Sequence, residues 1–326
     1  MAGLGEFELI RQYFAAAACA TPVSGVARGI GDDCALLQLR PGEQLAVSTD
    51  TQVAGVHFPE HHDPFLLAQR VLAAAASDLA AMGAAPLGFT LALTLPNAEP
   101  AWLAGFARGL DVMARACQLA LIGGDTTRGP LNINVTVFGR LPVGQALLRS
   151  GARPGDLLCL GGTTGEAAAA LPLVLGERAA SGAGDAELLA RYWTPQPQLL
   201  LGQALRGLAS AALDVSDGLL ADCGHIAEQS GVALLIEAAR LPLAAALREA
   251  AGARALHLAL TGGDDYVLAF SLPPAALPTL QATGQPFHLI GRVAAGSGVR
   301  VLDRDGHDIT PAAGGYQHFG GGDGQT

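Results

Sequence analysis

Short β-prone runs closed by glycine or proline recur along the whole chain and alternate with stretches of helical period. That pattern confines the chain to folds that mix sheet and helix. At 326 residues the chain is longer than one hydrophobic core usually serves, so two domains are expected. Half of its residues are hydrophobic and 15% are charged, the balance of a compact globular protein. The longest apolar stretches, Val71–Ala76 and Ala167–Gly176, fall far short of the roughly 20 residues of a membrane helix. The segment Met1–Glu6 lacks the basic region and apolar run of a secretory signal. No membrane association and a cytoplasmic location are therefore expected.

The formal net charge of −10 argues against nucleic acid or an anionic membrane surface as a partner. All nineteen basic residues are arginine. With no lysine, a Walker-type phosphate lysine, a Schiff base and a pyridoxal-phosphate linkage are excluded. If so acidic a chain handles phosphates, divalent cations must supply much of the positive charge. The five cysteines lie far apart with no Cys-x-x-Cys pair, and buried, reduced thiols are expected.

The runs Cys34–Leu39 and Leu45–Thr49, separated by Pro41-Gly42-Glu43-Gln44, read as an antiparallel hairpin that returns Asp50 close to Asp33. Asp63-Pro64 has helix-start chemistry and Gly83 supplies a stop, so a helix is expected over Pro64–Met82 with Asp78 inside it. Trp102, Phe106, Leu110, Met113 and Cys117 form the apolar stripe of a second helix. Leu119–Ile122 reads as a strand ending at Gly123-Gly124-Asp125, and Asn132–Phe138 as another. A turn-rich break places the domain boundary near residue 142. Residues 1–142 are expected to form a mixed α+β domain. Residues 143–326 are expected to form an α/β domain with strands at Leu157–Leu160, Ala211–Val215, Val232–Ile236, Tyr266–Phe270 and Phe287–Ile290.

Aspartates stand beside glycine or hydroxyl residues at the ends of these elements: Gly29-Ile-Gly-Asp-Asp33, Ser48-Thr-Asp50, Ser77-Asp78, Gly123-Gly-Asp125 and Asp214-Val-Ser-Asp217. Any single one reads most simply as a turn or cap residue. Asp78 is harder to place so, because its Ala-rich surroundings imply burial, and a buried carboxylate needs a partner. Arg70 and Arg108 are the candidates. Should the carboxylates converge, their repulsion calls for cations between them, and oxygen ligands without histidine or cysteine clusters favour Mg²⁺ over zinc. Several such ions shared with phosphates are the apparatus of phosphoryl transfer.

Taken in order, Gly-Ile-Gly-Asp-Asp-Cys-Ala, Ser-Thr-Asp-Thr-Gln-Val-Ala-Gly-Val-His-Phe, Ser-Asp-Leu-Ala-Ala-Met-Gly-Ala, Ile-Gly-Gly-Asp-Thr-Thr-Arg-Gly, Leu-Asp-Val-Ser-Asp-Gly-Leu and Thr-Gly-Gly-Asp-Asp-Tyr resemble the thiamine-monophosphate kinases. That family lies within the aminoimidazole-ribonucleotide synthetase-like ATP-binding proteins. The resemblance runs from Phe7 to Phe319. It implies an N-terminal α+β domain that pairs with its twin in a homodimer, a C-terminal α/β domain, and ATP bound without a P-loop. It implies that Asp33, Ser48, Thr49, Asp50, Asp78, Asp125, Asp214 and Asp217 are magnesium ligands, directly or through water. Gly124, Asp125, Arg149 and Ser216 are implied ATP contacts, and His57, Asp264 and Tyr316 implied contacts of thiamine monophosphate.

Two departures stand out. The family commonly has Gly-Gly-Glu-Asp-Tyr where this chain has Gly262-Gly-Asp-Asp-Tyr266, so Asp264 reaches one methylene less far. Ala75-Ala76 stand where Asn-Leu is common. The acceptor such an enzyme uses is already a phosphate oxyanion, so no catalytic base is expected. Two alternatives remain open: a related ATP-dependent enzyme, such as an aminoimidazole-ribonucleotide or selenophosphate synthetase, and a non-catalytic nucleotide- or metal-binding protein.

Overall fold

A computed structural model describes residues 6–21 and 23–312. Helix α1 (Glu6–Leu9) and short irregular helical turns lead into β1 (Val26–Arg28), β2 (Leu36–Leu37) and β3 (Glu43–Val53). Then come α2 (Pro64–Ala81), β4 (Ala85–Leu95), α3 (Pro100–Cys117), β5 (Ala120–Arg128) and β6 (Asn132–Pro142). The remainder is β7 (Leu157–Leu160), α4 (Glu166–Val174), α5 (Ala183–Trp193), α6 (Leu199–Leu205), β8 (Ala211–Asp214), α7 (Leu219–Ser230), β9 (Ala233–Glu237), α8 (Ala245–Ala251), α9 (Ala255–Thr261), β10 (Leu268–Leu272), α10 (Leu277–Ala282), β11 (His288–Ala294) and β12 (Gly298–Leu302).

Two sheets carry the molecule, one four-stranded in the order β3-β6-β4-β5 and one six-stranded in the order β12-β9-β11-β7-β10-β8. The expected hairpin between Cys34–Leu39 and β3 is not formed. Instead β2 pairs with β1, and β3 pairs antiparallel with β6 from Glu43↔Pro142 to Val53↔Asn132. A ladder along the whole of β3 satisfies many more backbone groups than the two residues of β2 could. Asp33 is therefore not laid beside Asp50 by strand pairing. β5 also differs from expectation: it runs on through Gly123-Gly124-Asp125, parallel to β4, so Asp125 lies within the strand.

Helix α2 is the axis of the fold. Asp63 caps it by accepting the Phe65 N–H at 2.8 Å, and Pro64 occupies the first turn, where a missing N–H costs nothing. Fourteen of its eighteen residues are buried, because it packs on β3 and β6, on α3, and on α5, α6 and β8 of the other sheet's layer. Its run of alanines lets backbones approach closely. A Cβ on Gly109 of α3 would lie 2.2 Å from the Phe65 carbonyl oxygen, and one on Gly202 of α6 would lie 2.0 Å from that of Ala80. Gly202→Ala is accordingly expected to cost about 1–3 kcal/mol by forcing α6 off α2, seen as a lower midpoint in thermal denaturation. An unchanged midpoint would show that the two helices part without cost.

In the second sheet β10 begins at Leu268 rather than at Tyr266. Asp264 and Tyr266 have φ of 68° and 53°, left-handed conformations that cannot continue a strand. Most buried side chains of both sheets form one contiguous core, and Val26, Ala120 and Ile122 form a small second cluster. Among the described residues no helix is long and apolar enough to cross a membrane.

Candidate active site

Alternation along β3 turns Ser48, Asp50 and Gln52 toward α2, and Ser48 Oγ donates a hydrogen bond to Asp78 Oδ2. Gln52 Nε2 lies 3.4 Å from Asp50 Oδ2. Asp214 ends β8 with 7% of its surface exposed. Its burial, reinforced by the neighbouring charge of Asp78, pushes its carboxyl up to about 7. Burial raises Asp78 too; the Ser48 hydrogen bond and Arg149 oppose that rise, and Asp50 adds to it. Asp78 thus senses Asp50 on one side and acts on Asp214 on the other, where α2 packs on β3 and β8. Neither expected arginine partner of Asp78 serves. Arg70 points to Asp264 instead, and Arg108 sits on the exposed face of α3. Among the described residues, Asp78 and Asp214 take part in no ion pair.

The turn after β8 is built around a residue the sequence reading overlooked. Asp222, in the first turn of α7, accepts the N–H groups of Ser216, Asp217 and Gly218 on one oxygen, Oδ2, at 3.0, 3.0 and 3.1 Å. Burial pushes its carboxyl up to about 6 in spite of those donors. The visible signal was an acid one turn into a helix that follows Ser-Asp-Gly, where free N–H groups collect. Onto this turn docks the segment after α9: the Asp264 N–H donates to the Ser216 carbonyl at 2.8 Å and the Tyr266 N–H to that of Val215 at 2.7 Å.

Asp264 and His57 meet around Arg70. The Arg70 guanidinium lies 2.8 Å from Asp264 Oδ1, which also accepts the Tyr266 hydroxyl at 3.0 Å. Arg70 Nη1 donates to the Tyr192 carbonyl at 2.8 Å, and the Tyr192 hydroxyl donates to the His57 carbonyl at 3.2 Å. His57 Nδ1 accepts the Val53 N–H at 3.1 Å, fixing the ring against the end of β3. Tyr316, the third expected substrate contact, lies outside the described residues.

The other expected ligands stand elsewhere. Asp33, Gly124 and Asp125 line a cavity of about 700 Å³ together with Arg11, Asp32 and Gly123. Strand register puts Asp125 in one row with Ala92, Asn134 and Thr51, on the face turned away from α2 and so opposite to Asp50. The Thr49 hydroxyl also faces that way and bonds Thr136 Oγ1 at 2.8 Å. The eight expected metal ligands therefore divide between the α2 side of the first sheet, the cavity at its β5 edge and the turn after β8 that carries Asp217, with the Thr49 side chain apart on the face turned away from α2. Among the described residues, the one set of three Asp, Glu, His or Cys ligand atoms within 4.8 Å of one another is Asp303, Asp305 and His307, in the turn after β12. No three of the described site aspartates come that close to one another. Arg149 is exposed and Ser216 half-buried, and the Arg149 carbonyl accepts the Ser230 hydroxyl at 3.3 Å. Of the five cysteines, all of them free, Cys117, Cys159 and Cys223 are buried as expected, but Cys19 is half-buried and Cys34 exposed.

The sequence and its fold have known counterparts. Family models described as AIR synthase related protein, N-terminal domain, and AIR synthase related protein, C-terminal domain, match residues 31–141 and 153–304. The thiamine-monophosphate kinase of Escherichia coli is 44% identical over 321 residues, 97% of this chain and 98% of that one. A crystal structure of thiamine-monophosphate kinase from Stenotrophomonas maltophilia superposes with a TM-score of 0.80 at 46% identity, covering 87% of this chain and 92% of that one. AaThiL complexed with AMPPCP and TMP superposes with a TM-score of 0.79 at 29% identity, covering 86% of this chain and 89% of that one. By its matched halves this is an AIR synthase-related protein. Within that class, the chain belongs to the thiamine-monophosphate kinase family.

Proposed function

We propose that this chain transfers the γ-phosphate of ATP to the phosphate of thiamine monophosphate, giving thiamine diphosphate and ADP. The observation that carries this reading is full-length identity of 44% to a thiamine-monophosphate kinase, joined to a cluster of carboxylates, Asp214 buried and Asp50 and Asp78 half-buried, that make no ion pair among the described residues. The bond from the γ-phosphorus to the β,γ-bridging oxygen breaks, and one from that phosphorus to an acceptor phosphate oxygen forms. No side chain need remove a proton from the acceptor. The obstacle is electrostatic, since two unit charges of one sign at 4 Å repel by about 4 kcal/mol at an effective dielectric near 20.

The donor set fits Mg²⁺. Asp50, Asp78 and Asp214 offer only oxygen, and among the described residues Asp78 and Asp214 form no ion pair and the buried Gln52 Oε1 has no hydrogen-bond partner. We assign Ser48, Thr49, Asp50, Asp78 and Asp214, with Asp33, Asp125 and Asp217, to several such ions, Thr49 through a group other than its outward-turned hydroxyl. When bound, the ions supply the positive charge that lets two polyanions meet. Asp222 holds the turn bearing Ser216 and Asp217 in place. Gly124, Asp125, Arg149 and Ser216 are assigned to ATP, and a side chain at Gly124 would collide with the Leu91 carbonyl oxygen at 2.0 Å. His57, Asp264 and Tyr316 are assigned to thiamine monophosphate.

The two parts of this work fall to residues 1–142 and 143–326, a division supported by the separate matches of the two family models. A homodimer is the proposed assembly. Its support is the face of the first sheet opposite α2, where Leu45 is 41% and Val47 55% exposed beside the open edge of β3. The cytoplasm is the proposed location.

Incubation with ATP, Mg²⁺ and thiamine monophosphate is expected to yield thiamine diphosphate and ADP in equal amounts, with no phosphoprotein on intact-mass analysis under single turnover. A competent covalent phosphoenzyme would refute direct transfer. Nucleotide binding without turnover would indicate a module rather than a kinase.

A further inference from the structure

We propose that Arg70 is the positioning residue of the thiamine monophosphate end of the site: one guanidinium fixes the Asp264 carboxylate and the His57 backbone against each other, and so sets affinity for that substrate rather than for ATP. The proposal rests on the phosphotransfer reading above.

Arg70 projects from the buried centre of α2 with 1% of its side chain exposed. Its planar fork reaches three separate segments. Nη1 donates to the Tyr192 carbonyl of α5 at 2.8 Å, and Nη2 lies 2.8 Å from Asp264 Oδ1 and 3.5 Å from the His57 carbonyl oxygen. The guanidinium carbon stacks 3.9 Å from the centre of the Tyr192 ring. Packing alone does not account for such a residue. A buried ion pair is weak support for stability, an apolar side chain of similar size would fill the space as well, and among the described residues Nε has no hydrogen-bond partner. What the guanidinium adds is direction.

Asp264 is where direction is needed. Its φ of 68° and the 53° of Tyr266 are conformations an L-residue keeps only under restraint from its surroundings. Arg70 and the Tyr266 hydroxyl both engage Oδ1. Among the described residues Oδ2 takes no hydrogen bond, and the side chain is 36% exposed. A carboxylate anchored by one oxygen from below and open at the other is a fixed acceptor for an N–H donor, the chemistry an aminopyrimidine offers. The shorter reach of Asp264 compared with a glutamate makes its anchoring matter more, since it has one fewer torsion with which to find the substrate.

The test is a steady-state comparison of Arg70→Lys and Tyr266→Phe with the parent, varying each substrate in turn, with circular dichroism to check folding. Arg70→Lys keeps the charge but loses the fork. It is expected to raise KM for thiamine monophosphate about tenfold while KM for ATP changes less than about twofold. In an Asp264→Asn background the same change should add little, since both act through one carboxylate. Equal rises in both KM values, or an unchanged KM for thiamine monophosphate, overturn the proposal. If Arg70→Lys does not fold, Tyr266→Phe decides: a rise of about threefold confined to thiamine monophosphate supports the anchor, and no rise refutes it. A parent that makes no thiamine diphosphate instead removes the functional reading, and that is seen before any variant is compared.

Discussion

Replacing Asp214 by Asn is expected to lower turnover about a thousandfold while leaving the chain folded and, without divalent cations, no less heat-stable than before. The two halves of this expectation have one cause. Asp214 is buried, forms no ion pair among the described residues and sits near a half-buried acid, Asp78, so its negative charge is disfavoured by its surroundings. A residue kept for stability would not be so placed. Asn has the same shape and removes the charge, so it relieves Asp78 without opening a cavity. In the proposed assignment, what it takes away is one full negative ligand for the ions that let ATP and thiamine monophosphate approach. The measurements are kcat at saturating and at limiting Mg²⁺, and the midpoint of thermal unfolding in chelator. Near-normal turnover at limiting Mg²⁺ would strip Asp214 of this role, and a large loss of stability in chelator would make it a structural residue.

The distribution of the other acids sharpens that expectation. Asp50 shares the α2 side of the sheet with Asp78, whereas Asp125 and Asp33 line the cavity at the β5 edge. Ser48 links the two elements of the first group through its bond to Asp78. In the proposed assignment the nucleotide is held by Gly124, Asp125 and Ser216, and Asp78 and Asp214 stand in the group on the α2 side of the sheet.

Local patterns carried the elements whose signals lie within a few residues. The cap at Asp63-Pro64 and the stripe Trp102–Cys117 set out α2 and α3 correctly, and the apolar run Leu157–Leu160 is β7. Strand β4 went unread because Pro86 and Gly88 look like turn residues; the sheet absorbs them at an irregularity of register against β6. The false hairpin has a related cause. Pro41-Gly42 does make a turn, but a turn does not say which strand the following run will choose, and β6 lies far away in sequence. The aspartate motifs were visible because each pairs an acid with the glycine or hydroxyl its turn requires. Arg70 and Asp222 escaped as site residues for the opposite reason: Arg70 works through contacts remote in sequence, and Asp222 through three backbone N–H groups that exist as a cluster only once the turn is folded.

In chelator, the thermal midpoint is expected to fall as pH rises from 5 to 8, and saturating Mg²⁺ to raise it by about 5 °C at pH 8 but only about 1 °C at pH 5. Burial lifts Asp214 from an ordinary 3.8 to about 7 and Asp222 to about 6, and moves Asp78 in the same direction. Each raised group binds its proton more tightly folded than unfolded. Its contribution is therefore complete below the ordinary carboxyl value and is lost as pH climbs through the folded one, which for Asp214 means up to about 7. The buried Asp265 acts in the same sense. Asp185, Asp303 and Asp308 are shifted downward, and their contributions change only in more acid solution, outside this window. A divalent cation competes with the proton for the same oxygens, so it stabilises most where the proton has left. At a hundredfold excess over its dissociation constant, an ion that binds only the folded chain adds about 2.7 kcal/mol, the source of the midpoint shift. The decisive comparison is Asp214→Asn, in which both the pH dependence and the Mg²⁺ shift should shrink together. If the Mg²⁺ shift survives intact in that variant, the ions are held elsewhere, and the buried acids between β3, α2 and β8 are not the charge that brings the two phosphates together.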